Sequence, residues 1–233
     1  MVNFSVVIPV YNESENIKKL IEEINDSLIS YDQYEIIIVN DGSNDNTLKV
    51  IDEIKKNYAL KLINNSNNLG QSRSIYNGII NSEYKTIVTI DGDGQNDPKD
   101  IPSLLKLYFS SQSTFLVGGI RKERKDNFIK ILSSRIANSI RSFILKDNCS
   151  DTGCSLKVFD KDIFLSFPFF DSIHRFLPAL FNGYGYNTNF KNVSHRPRLS
   201  GKSKYGTIYR LVLGIIDLFR VMIIIKKHNK KND

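Results

Sequence analysis

The sequence predicts an α/β protein with a mostly parallel β-sheet and helices on both faces. Short apolar runs alternate with segments whose apolar residues recur every three or four positions, the pattern of buried strands followed by amphipathic helices. Polar clusters follow three of the runs, where parallel sheets bind their ligands. With 24% charged and 41% hydrophobic residues among 233, the composition is typical of a folded globular chain and excludes wholesale disorder.

The elements of the first half follow one another at short intervals. Strands are predicted at residues 4–10, 35–39, 60–63 and 86–90. Helices are predicted at residues 14–30 with Ser14 as N-cap, at 45–56, at 70–81 and from about 100 onward. The inward positions of the first two helices follow a helical period: Ile17, Leu20, Ile21, Ile24 and Leu28, then Leu48, Ile51 and Ile54.

The alternation weakens in the second half. Strands are predicted at 115–120, 155–159 and 187–193, a long basic helix at 127–146 and a helical stretch at 174–181. Neither a low-complexity linker nor a repeat interrupts the chain, so residues 1–205 are assigned to one domain and residues 206–233 to a helical tail.

The positive charge is concentrated in the tail. The net charge is +7, and residues 194–233 hold ten Lys or Arg against two Asp, so the preceding residues are close to neutral. A neutral body argues against a protein coated for nucleic acid, whereas a basic tail indicates a local anionic partner such as a phosphate or an anionic membrane surface.

The cysteines and the N-terminus indicate an intracellular setting. Cys149 and Cys154 are too few and too oddly spaced for a zinc site, and they are interpreted as reduced structural thiols. The first residues lack a basic segment and lead directly into a strand pattern, so no signal peptide is expected.

Carboxylates follow the strands at the predicted ligand edge. Asp91, Gly92 and Asp93 come directly after the fourth strand, with Gln95 close behind. Two hard oxygen donors and a nearby amide suit Mg²⁺ or Mn²⁺ bound together with substrate phosphates, and Gly92 lets the backbone approach a ligand. The alternative is a solvated turn, because Asp and Gly favour turns.

Two more acidic strand ends complete this pattern. Glu13 and Asp41 could accept hydrogen bonds from a ribose or a base, as acidic residues do in dinucleotide folds. Residues 41–43 also fit a turn followed by a helix cap, and Tyr11 either stacks on a base or lines the core.

Several common nucleotide motifs are absent from the sequence. No GxGxxG opens a helix and no GxSxG elbow is present. Gly201, Lys202 and Ser203 resemble the end of a P-loop, but Arg196 occupies the position of its first glycine. Hydride transfer and P-loop hydrolysis are therefore disfavoured.

In these motifs the chain resembles the family-2 glycosyltransferases, and within them the polyprenyl-phosphate (dolichol-phosphate) mannosyl- or glucosyltransferases. The matching segments are VIPVYNE at 7–13, VNDGS at 39–43, NLG at 68–70, DGDGQ at 91–95 with Pro98, GIR at 119–121, DTGC at 151–154, HRFLPAL at 174–180 and RLSGKSKYG at 198–206. Asn40 stands where the family often has Asp, and Gly94 replaces a bulkier residue.

The resemblance implies a GT-A fold, a nucleotide-sugar donor, an inverting transfer and a role for each matched residue. Those implied to hold the nucleotide sugar are Pro9, Tyr11, Glu13, Asp41, Gly92, Asp93, Gln95, Arg121 and Arg135. Asp91, Asp93 and Gln95 would surround the metal, and Arg135, Arg198, Ser203 and Lys204 would bind the lipid phosphate. Asp91, Asp93 and Arg121 would act in catalysis.

The acceptor decides whether a base is required. A polyprenyl phosphate is already ionised, so positioning and electrostatics would supply most of the rate. A sugar hydroxyl would need a base, for which Asp171 and His174 are the candidates. Their structural alternatives are a helix cap for Asp171 and a hydrogen-bonded helix residue for His174. The basic loop at 196–204 either closes over a phosphate or is simply solvated.

The tail is predicted to lie on a membrane. Residues 208–225 are apolar apart from Arg210, Asp217 and Arg220, which fall within an arc of roughly 80° on a helix and are followed by four lysines. Each charge would cost about 2.5–3.5 kcal/mol at a bilayer centre, which disfavours a span. An amphipathic helix on an anionic surface is favoured over packing against the domain or a dimer partner.

The leading hypothesis is a metal-dependent enzyme that moves a hexose from GDP-mannose or a UDP-glucose-type donor to a polyprenyl phosphate. It would act at the inner, cytoplasmic face of the cell membrane as a peripheral protein. The alternatives are transfer to a saccharide hydroxyl in surface polysaccharide or glycolipid synthesis, and a non-catalytic nucleotide-sugar-binding protein. No nucleic-acid partner is expected, and a homo-oligomer stays open.

Overall fold

The computed structural model describes residues 2–111, 113–122, 141–197 and 207–232, and one seven-stranded sheet runs through them. The strands are β1 Asn3–Val10, β2 Gln33–Asn40, β3 Lys61–Asn64, β4 Thr86–Thr89, β5 Thr114–Arg121, β6 Lys157–Asp160 and β7 Asn187–Val193. Their order across the sheet is β3-β2-β1-β4-β6-β5-β7.

The sheet is parallel except at β6. β1 pairs in parallel with β2 and β4, β2 with β3, and β5 with β7, whereas β6 runs antiparallel to both β4 and β5. The prediction of a mostly parallel sheet is confirmed. The direction of β6 could not be predicted, because a short buried strand reads the same in either direction. The carboxyl ends of β1, β2, β4 and β5 consequently share one edge.

Helices cover both faces of the sheet. They are α1 Ile17–Ser27, α2 Thr47–Ile54, α3 Gln71–Ile80, α4 Ile101–Phe109, α5 Lys161–Ser166, α6 Leu177–Gly183 and α7 Thr207–Asn232, with 3₁₀ turns at Pro98–Asp100 and Ile173–Arg175. The first core lies under α1, α2 and α4, and the second under α3, α5, α6 and α7. Of the long basic helix predicted at 127–146, residues 141–145 are described and are helical.

The first two helices show where periodicity succeeds and where it fails. All five inward residues predicted for α1 are fully or almost fully buried, and so are Ile51 and Ile54 of α2. Leu48 is 36% exposed, because Thr47 occupies the buried position at the helix start and accepts a hydrogen bond from Glu13 N. The predicted Ser14 cap is also wrong, since α1 starts after Asn16.

From Gly214 onward, the long helix α7 packs against the body along one face. Leu218 and Val221 are buried in the second core, and the imidazole of His228 stacks on Tyr184 at 3.6 Å between ring centroids. The opposite face leaves several large apolar side chains exposed: Ile215, Ile216, Phe219, Met222 and Ile223. Among the described residues, no helix combines the length and apolarity needed to cross a bilayer.

The structure agrees with the interpretation of the cysteines. Cys149 and Cys154 are both buried and both free. Burial raises the pKa of each thiol, so both thiols stay protonated and unreactive at neutral pH.

Candidate active site

The loops after β1 and β2 are joined into one wall of the site. Asn12, in the left-handed region at φ 57°, donates its backbone N–H to Ser43 Oγ at 2.9 Å. Glu13 donates its N–H to Thr47 Oγ1 at 2.8 Å. These bonds hold the residues that follow the two strands next to each other, as the resemblance implies for a nucleoside site.

Asp41 organises the start of α3. Its carboxylate accepts hydrogen bonds from the backbone N–H groups of Leu69 and Gly70, both at 2.9 Å, and from Asn65 Nδ2 at 2.8 Å. The residue is only 4% exposed. A carboxylate with three donors from one loop fixes that loop firmly. Asp41 therefore holds the loop that leads into α3 beside the ends of the strands.

The other residues predicted to bind the nucleoside lie at the same edge. Glu13 is buried and its Oε2 accepts a hydrogen bond from Asn16 Nδ2 at 2.8 Å. Pro9 is half-buried near the end of β1, and Tyr11 is half-buried directly after it. The structure therefore brings Pro9, Tyr11, Glu13 and Asp41 together at one end of neighbouring strands.

Asn40, which stands where the family often has Asp, uses both ends of its side-chain amide. Its side-chain amide donates to Asn64 Oδ1 of β3 at 3.1 Å, and its Oδ1 accepts from Ser43 N at 3.3 Å. The residue is 4% exposed. An aspartate here would lose this donor, and the Asn64 amide would have to turn so that its own NH2 group donates instead.

The predicted metal-binding turn follows β4 directly. Asp91 donates its N–H to Ser155 Oγ at 3.1 Å, and Asp93 Oδ1 accepts from Gln95 N at 3.1 Å. A Cβ on Gly92 would lie 2.6 Å from Val10 Cγ1. Only glycine lets the turn sit this close to the end of β1.

Two consecutive residues, Gly70 and Gln71, connect Asp41 with Asp91. Gly70 N bonds Asp41 Oδ2 at 2.9 Å, and the next side chain, Gln71 Nε2, bonds Asp91 Oδ1 at 2.7 Å. The start of α3 therefore lies between the two carboxylates. The predicted convergence of acidic strand ends is present in the structure.

The carboxyl group of Asp91 holds a proton more readily than an ordinary aspartate. Burial, with the neighbouring charge of Asp93, raises the pKa of Asp91 to about 7, against the opposing effects of Ser155, Lys157 and Arg121. Two carboxyl groups in close proximity do not both ionise easily. A cation that approached the pair would lower this pKa.

Arg121 is held beside the turn by a buried ion pair. Its Nε and Nη2 each lie 2.7 Å from one carboxylate oxygen of Asp151, and the two side chains are 12% and 7% exposed. Such a bidentate pair orients the guanidinium rigidly. The charge of Arg121 acts on Asp91.

A second cation, Lys157, lies beneath the site at the start of β6. The residue is 3% exposed, and its ammonium group donates to the carbonyl of Cys154. Burial lowers its pKa, while the charges of Asp151 and Asp91 act in the opposite direction. Lys157 therefore lies close enough beneath the turn for its charge to act on Asp91.

His174 lies beside the start of α3, whereas Asp171 is exposed. His174 Nδ1 is 2.6 Å from Ser72 Oγ. Burial, helped by the charges of Lys157 and Arg175, lowers the pKa of His174 to about 3, so its imidazole is neutral at physiological pH. Asp171 lies on the surface, where its charge acts on Asp217 of α7.

The donor set at the turn fits a hard divalent ion. Within the described ranges, no three His, Cys, Asp or Glu side chains converge to form a complete metal site. Two carboxylates with a nearby amide are a partial shell, which Mg²⁺ commonly completes with water and substrate phosphates. Asp91, Asp93 and Gln95 would hold such an ion.

Four predicted phosphate-binding residues, Arg135, Arg198, Ser203 and Lys204, lie outside the described residues. Arg196, just before this loop, is described and is part of the framework. It donates its backbone N–H to Gln95 O at 2.8 Å and forms ion pairs with Glu23 at 2.6 Å and Asp97 at 2.8 Å. The loop thus begins directly beside the Asp91–Gln95 turn.

Sequence reasoning did not assign three residues that the structure places at the site. Gln71 follows the Asn-Leu-Gly motif without belonging to it, and Asp151 was matched to the family without a role. Lys157 carried a usable signal, because a lysine inside an apolar strand run requires a buried partner.

Comparisons with known proteins agree with this architecture. A family model described as glycosyl transferase family 2 matches residues 5–166. Dodecaprenyl-phosphate galacturonate synthase of Rhizobium johnstonii is 35% identical over 228 residues, covering 95% of this chain and 67% of the relative. Undecaprenyl-phosphate 4-deoxy-4-formamido-L-arabinose transferase of Proteus mirabilis is 33% identical over 205 residues, covering 86% of this chain and 62% of the relative.

Solved structures share the fold at low sequence identity. Glucosyl-3-phosphoglycerate synthase from Mycobacterium tuberculosis, in complex with Mn²⁺, UDP and phosphoglyceric acid, matches with a TM-score of 0.71 at 14% identity, covering 95% of this chain and 77% of that one. The same enzyme with Mg²⁺ and UDP matches with a TM-score of 0.69. The expected GT-A fold is therefore present, and the chain spans about two thirds of the length of its two relatives.

Proposed function

Because this chain belongs to glycosyltransferase family 2, we propose that it transfers a sugar from a nucleoside-diphosphate sugar to a polyprenyl phosphate, with inversion. The two relatives are named for transfer to dodecaprenyl and undecaprenyl phosphate. The donor expected from the sequence is of the GDP-mannose or UDP-glucose type, and it stays a prediction. The names of the relatives refer to other sugars, galacturonate and 4-deoxy-4-formamido-L-arabinose.

The observation that carries the proposal is the charge arrangement at the end of β4. Asp91 and Asp93 lie at the ligand edge, Arg121 is oriented beside them, and Lys157 lies beneath. Departure of a nucleoside diphosphate builds negative charge on phosphate oxygens, and fixed cations stabilise that charge. A Mg²⁺ or Mn²⁺ ion bound by Asp91, Asp93 and Gln95 would supply Lewis-acid stabilisation of the diphosphate.

The state of His174 favours a phosphate acceptor over a sugar hydroxyl. A general base works best when its pKa is near the working pH, and the pKa of His174 is about 3. Such an imidazole is a poor proton acceptor but a good neutral hydrogen-bonding group. A polyprenyl phosphate, which is already ionised, would require only positioning by His174.

The exposed face of α7 supports action at a membrane surface. Its apolar side chains are followed by the exposed residues Lys226, Lys227, Lys230 and Lys231. Apolar contact and attraction between lysines and anionic lipids together bind helices to an interface. We place the protein peripherally on the inner face of the cell membrane, where its lipid acceptor would be within reach.

Transfer of radiolabelled sugar into an organic-extractable lipid tests the proposal directly. The purified protein is given undecaprenyl phosphate and a panel of labelled nucleotide sugars with Mn²⁺. We expect labelled lipid with at least one donor, lost on chelation and in Asp93→Asn. The control is Asp32→Asn, at an exposed carboxylate just before β2 and away from the ligand edge.

Two outcomes would contradict the proposal. Label that appears only in water-soluble or polymeric product would indicate a saccharide hydroxyl as acceptor. Nucleotide-dependent thermal stabilisation without transfer from any donor would indicate a binding protein.

A further inference from the structure

A buried carboxylate joins α7 to the body of the protein. Asp217 is 5% exposed although it belongs to a helix whose opposite face is apolar and exposed. Its Oδ1 accepts a hydrogen bond from Arg220 Nη1 at 2.9 Å, one helical turn further on. Burying a charge is costly unless it is paired and hydrogen-bonded, so the position of Asp217 requires an explanation beyond packing.

The partner of Asp217 is the turn at residues 172–175. Ser172 has φ 72°, a left-handed conformation that residues with a Cβ rarely adopt. Ser172 and the charges of Arg220 and Arg175 counter the rise that burial causes in the pKa of Asp217. The Arg220 guanidinium, which bonds Asp217, lies 5.5 Å from the ring centroid of Phe170, and the Phe170 carbonyl accepts a hydrogen bond from Ile173 N of the turn at 3.2 Å. A strained residue persists only where its surroundings hold it, and on α7 the groups that act on this segment are Asp217 and Arg220.

The same turn carries His174 into the site. His174 Nδ1 is 2.6 Å from Ser72 Oγ, and Ser72 directly follows Gln71, whose side chain bonds Asp91 at 2.7 Å. A short path of contacts therefore connects α7 with the acidic turn through Ser172, His174 and the start of α3.

Two arginines fix the loop that precedes this turn. The Arg73 guanidinium of α3 lies 3.7 Å from the ring centroid of Phe169, and that of Arg220 lies 5.5 Å from Phe170. Such cation–π contacts are directional. The loop is thus held from α3 on one side and from α7 on the other, and Arg220 serves both Phe170 and Asp217.

We propose that Asp217 is a positioning residue of the active site: it fixes the turn at residues 172–175 and, through it, the orientation of His174 beside the start of α3. The inference rests on the proposed transferase function for its kinetic consequence. It gives α7 a second task, because the face opposite to the membrane-facing one holds a part of the site in place.

Asp217→Asn tests the proposal, since it keeps the shape and removes the charge. The control is Val221→Ala, which weakens the packing of the same helix at a fully buried residue and leaves Asp217 and Arg220 in place. The readouts are the titration of the His174 imidazole by NMR and the kcat and KM for transfer. Arg175 and Lys157 are the charged groups that act on His174, and both variants retain them.

We expect Asp217→Asn to move the titration midpoint of His174 upward, toward its ordinary value of 6.5. We also expect it to lower kcat by about tenfold or more, because small displacements of site groups are costly, with little change in the donor KM. Val221→Ala should lower the melting temperature and leave the His174 titration and kcat near wild type. Should Asp217→Asn fail to fold, Arg220→Gln takes its place, since Arg220 is 45% exposed.

The proposal is overturned if the variant keeps the wild-type titration of His174, or if the titration moves while kcat stays unchanged. A wild-type protein that transfers no sugar would refute the proposed function instead. The His174 titration would then still decide whether Asp217 positions the turn.

Discussion

Replacing His174 by glutamine should remove one contribution to folding stability that is lost in acid. In the unfolded chain the imidazole has a pKa of 6.5, and in the folded protein burial lowers it to about 3. Between these values the unfolded state binds the extra proton, so acidification favours unfolding. The contribution of His174 to stability is complete above pH 6.5 and is lost as the pH falls toward 3.

The size of the effect follows from the two pKa values. Each unit of difference is worth about 1.36 kcal/mol, so the full contribution of His174 approaches roughly 5 kcal/mol at strongly acid pH. At pH 5 the loss relative to pH 8 is about 2 kcal/mol. Glutamine does not titrate and can still hydrogen-bond Ser72, which makes His174→Gln a clean comparison.

The measurement must be a difference between two proteins, because Asp91 shifts in the opposite direction. The pKa of Asp91 is raised from 3.8 to about 7 in the folded protein. The folded state therefore binds its proton first, and acidification through this range stabilises the metal-free protein. The contributions of Asp91 and His174 offset each other, so the wild-type stability could look almost independent of pH.

Urea unfolding at several pH values between 5 and 8 provides the assay. The free energy of unfolding of wild type minus that of His174→Gln should fall by about 2 kcal/mol from pH 8 to pH 5. His228→Gln, at the imidazole that stacks on Tyr184 outside the site, serves as the matched histidine-to-glutamine control. A difference between wild type and His174→Gln that stays constant with pH would refute the assignment of His174 as a buried neutral imidazole.

Three further predictions concern the ion pair, a turn and the tail. Asp151→Asn should destabilise the protein by about 3–5 kcal/mol in urea unfolding, because it removes the charge that binds the buried Arg121 guanidinium through two hydrogen bonds; a loss below 1 kcal/mol would contradict this. Gly42→Ala should cost at least about 1–2 kcal/mol in the same assay, since Gly42 has φ 67° and a Cβ there would lie 2.6 Å from the backbone of Asn67. Phe219→Glu should lower the affinity for anionic vesicles, measured by co-sedimentation, by roughly thirtyfold. This corresponds to about 2 kcal/mol of lost apolar contact, and an unchanged affinity would contradict the membrane orientation of α7.

The strand ends were predictable because local pattern and topology agree there. Apolar runs identify the strands, and parallel strands bring their carboxyl ends to one edge. The positions of Asp41 and Asp91 therefore followed from the sequence alone. Their partners did not, because Asp41 bonds Leu69 and Gly70 nearly thirty residues away, and no spacing rule specifies such a contact.

The orientation of α7 shows a different limit. The helical period predicts one apolar face and one polar stripe, but it cannot say which of the two faces the body. In the structure Asp217 of the stripe is buried against the body, while Phe219 of the apolar face is 59% exposed. The buried carboxylate of Asp217 is stabilised by Ser172 and Arg175, which are more than forty residues away in the sequence.

The charges around the acidic turn favour the binding of a cation. Among the residues that the structure describes here, Asp91, Asp93 and Asp151 contribute three carboxyl groups, whereas Arg121 and Lys157 contribute two basic groups. Arg121 is committed to Asp151 by two bonds of 2.7 Å, so the excess of negative charge falls on the turn itself. Burial and the neighbouring charge of Asp93 together raise the pKa of Asp91, which gives this carboxyl group a higher affinity for a proton. A divalent cation would relieve the same excess more strongly than one proton, and it would leave the edge attractive to a diphosphate.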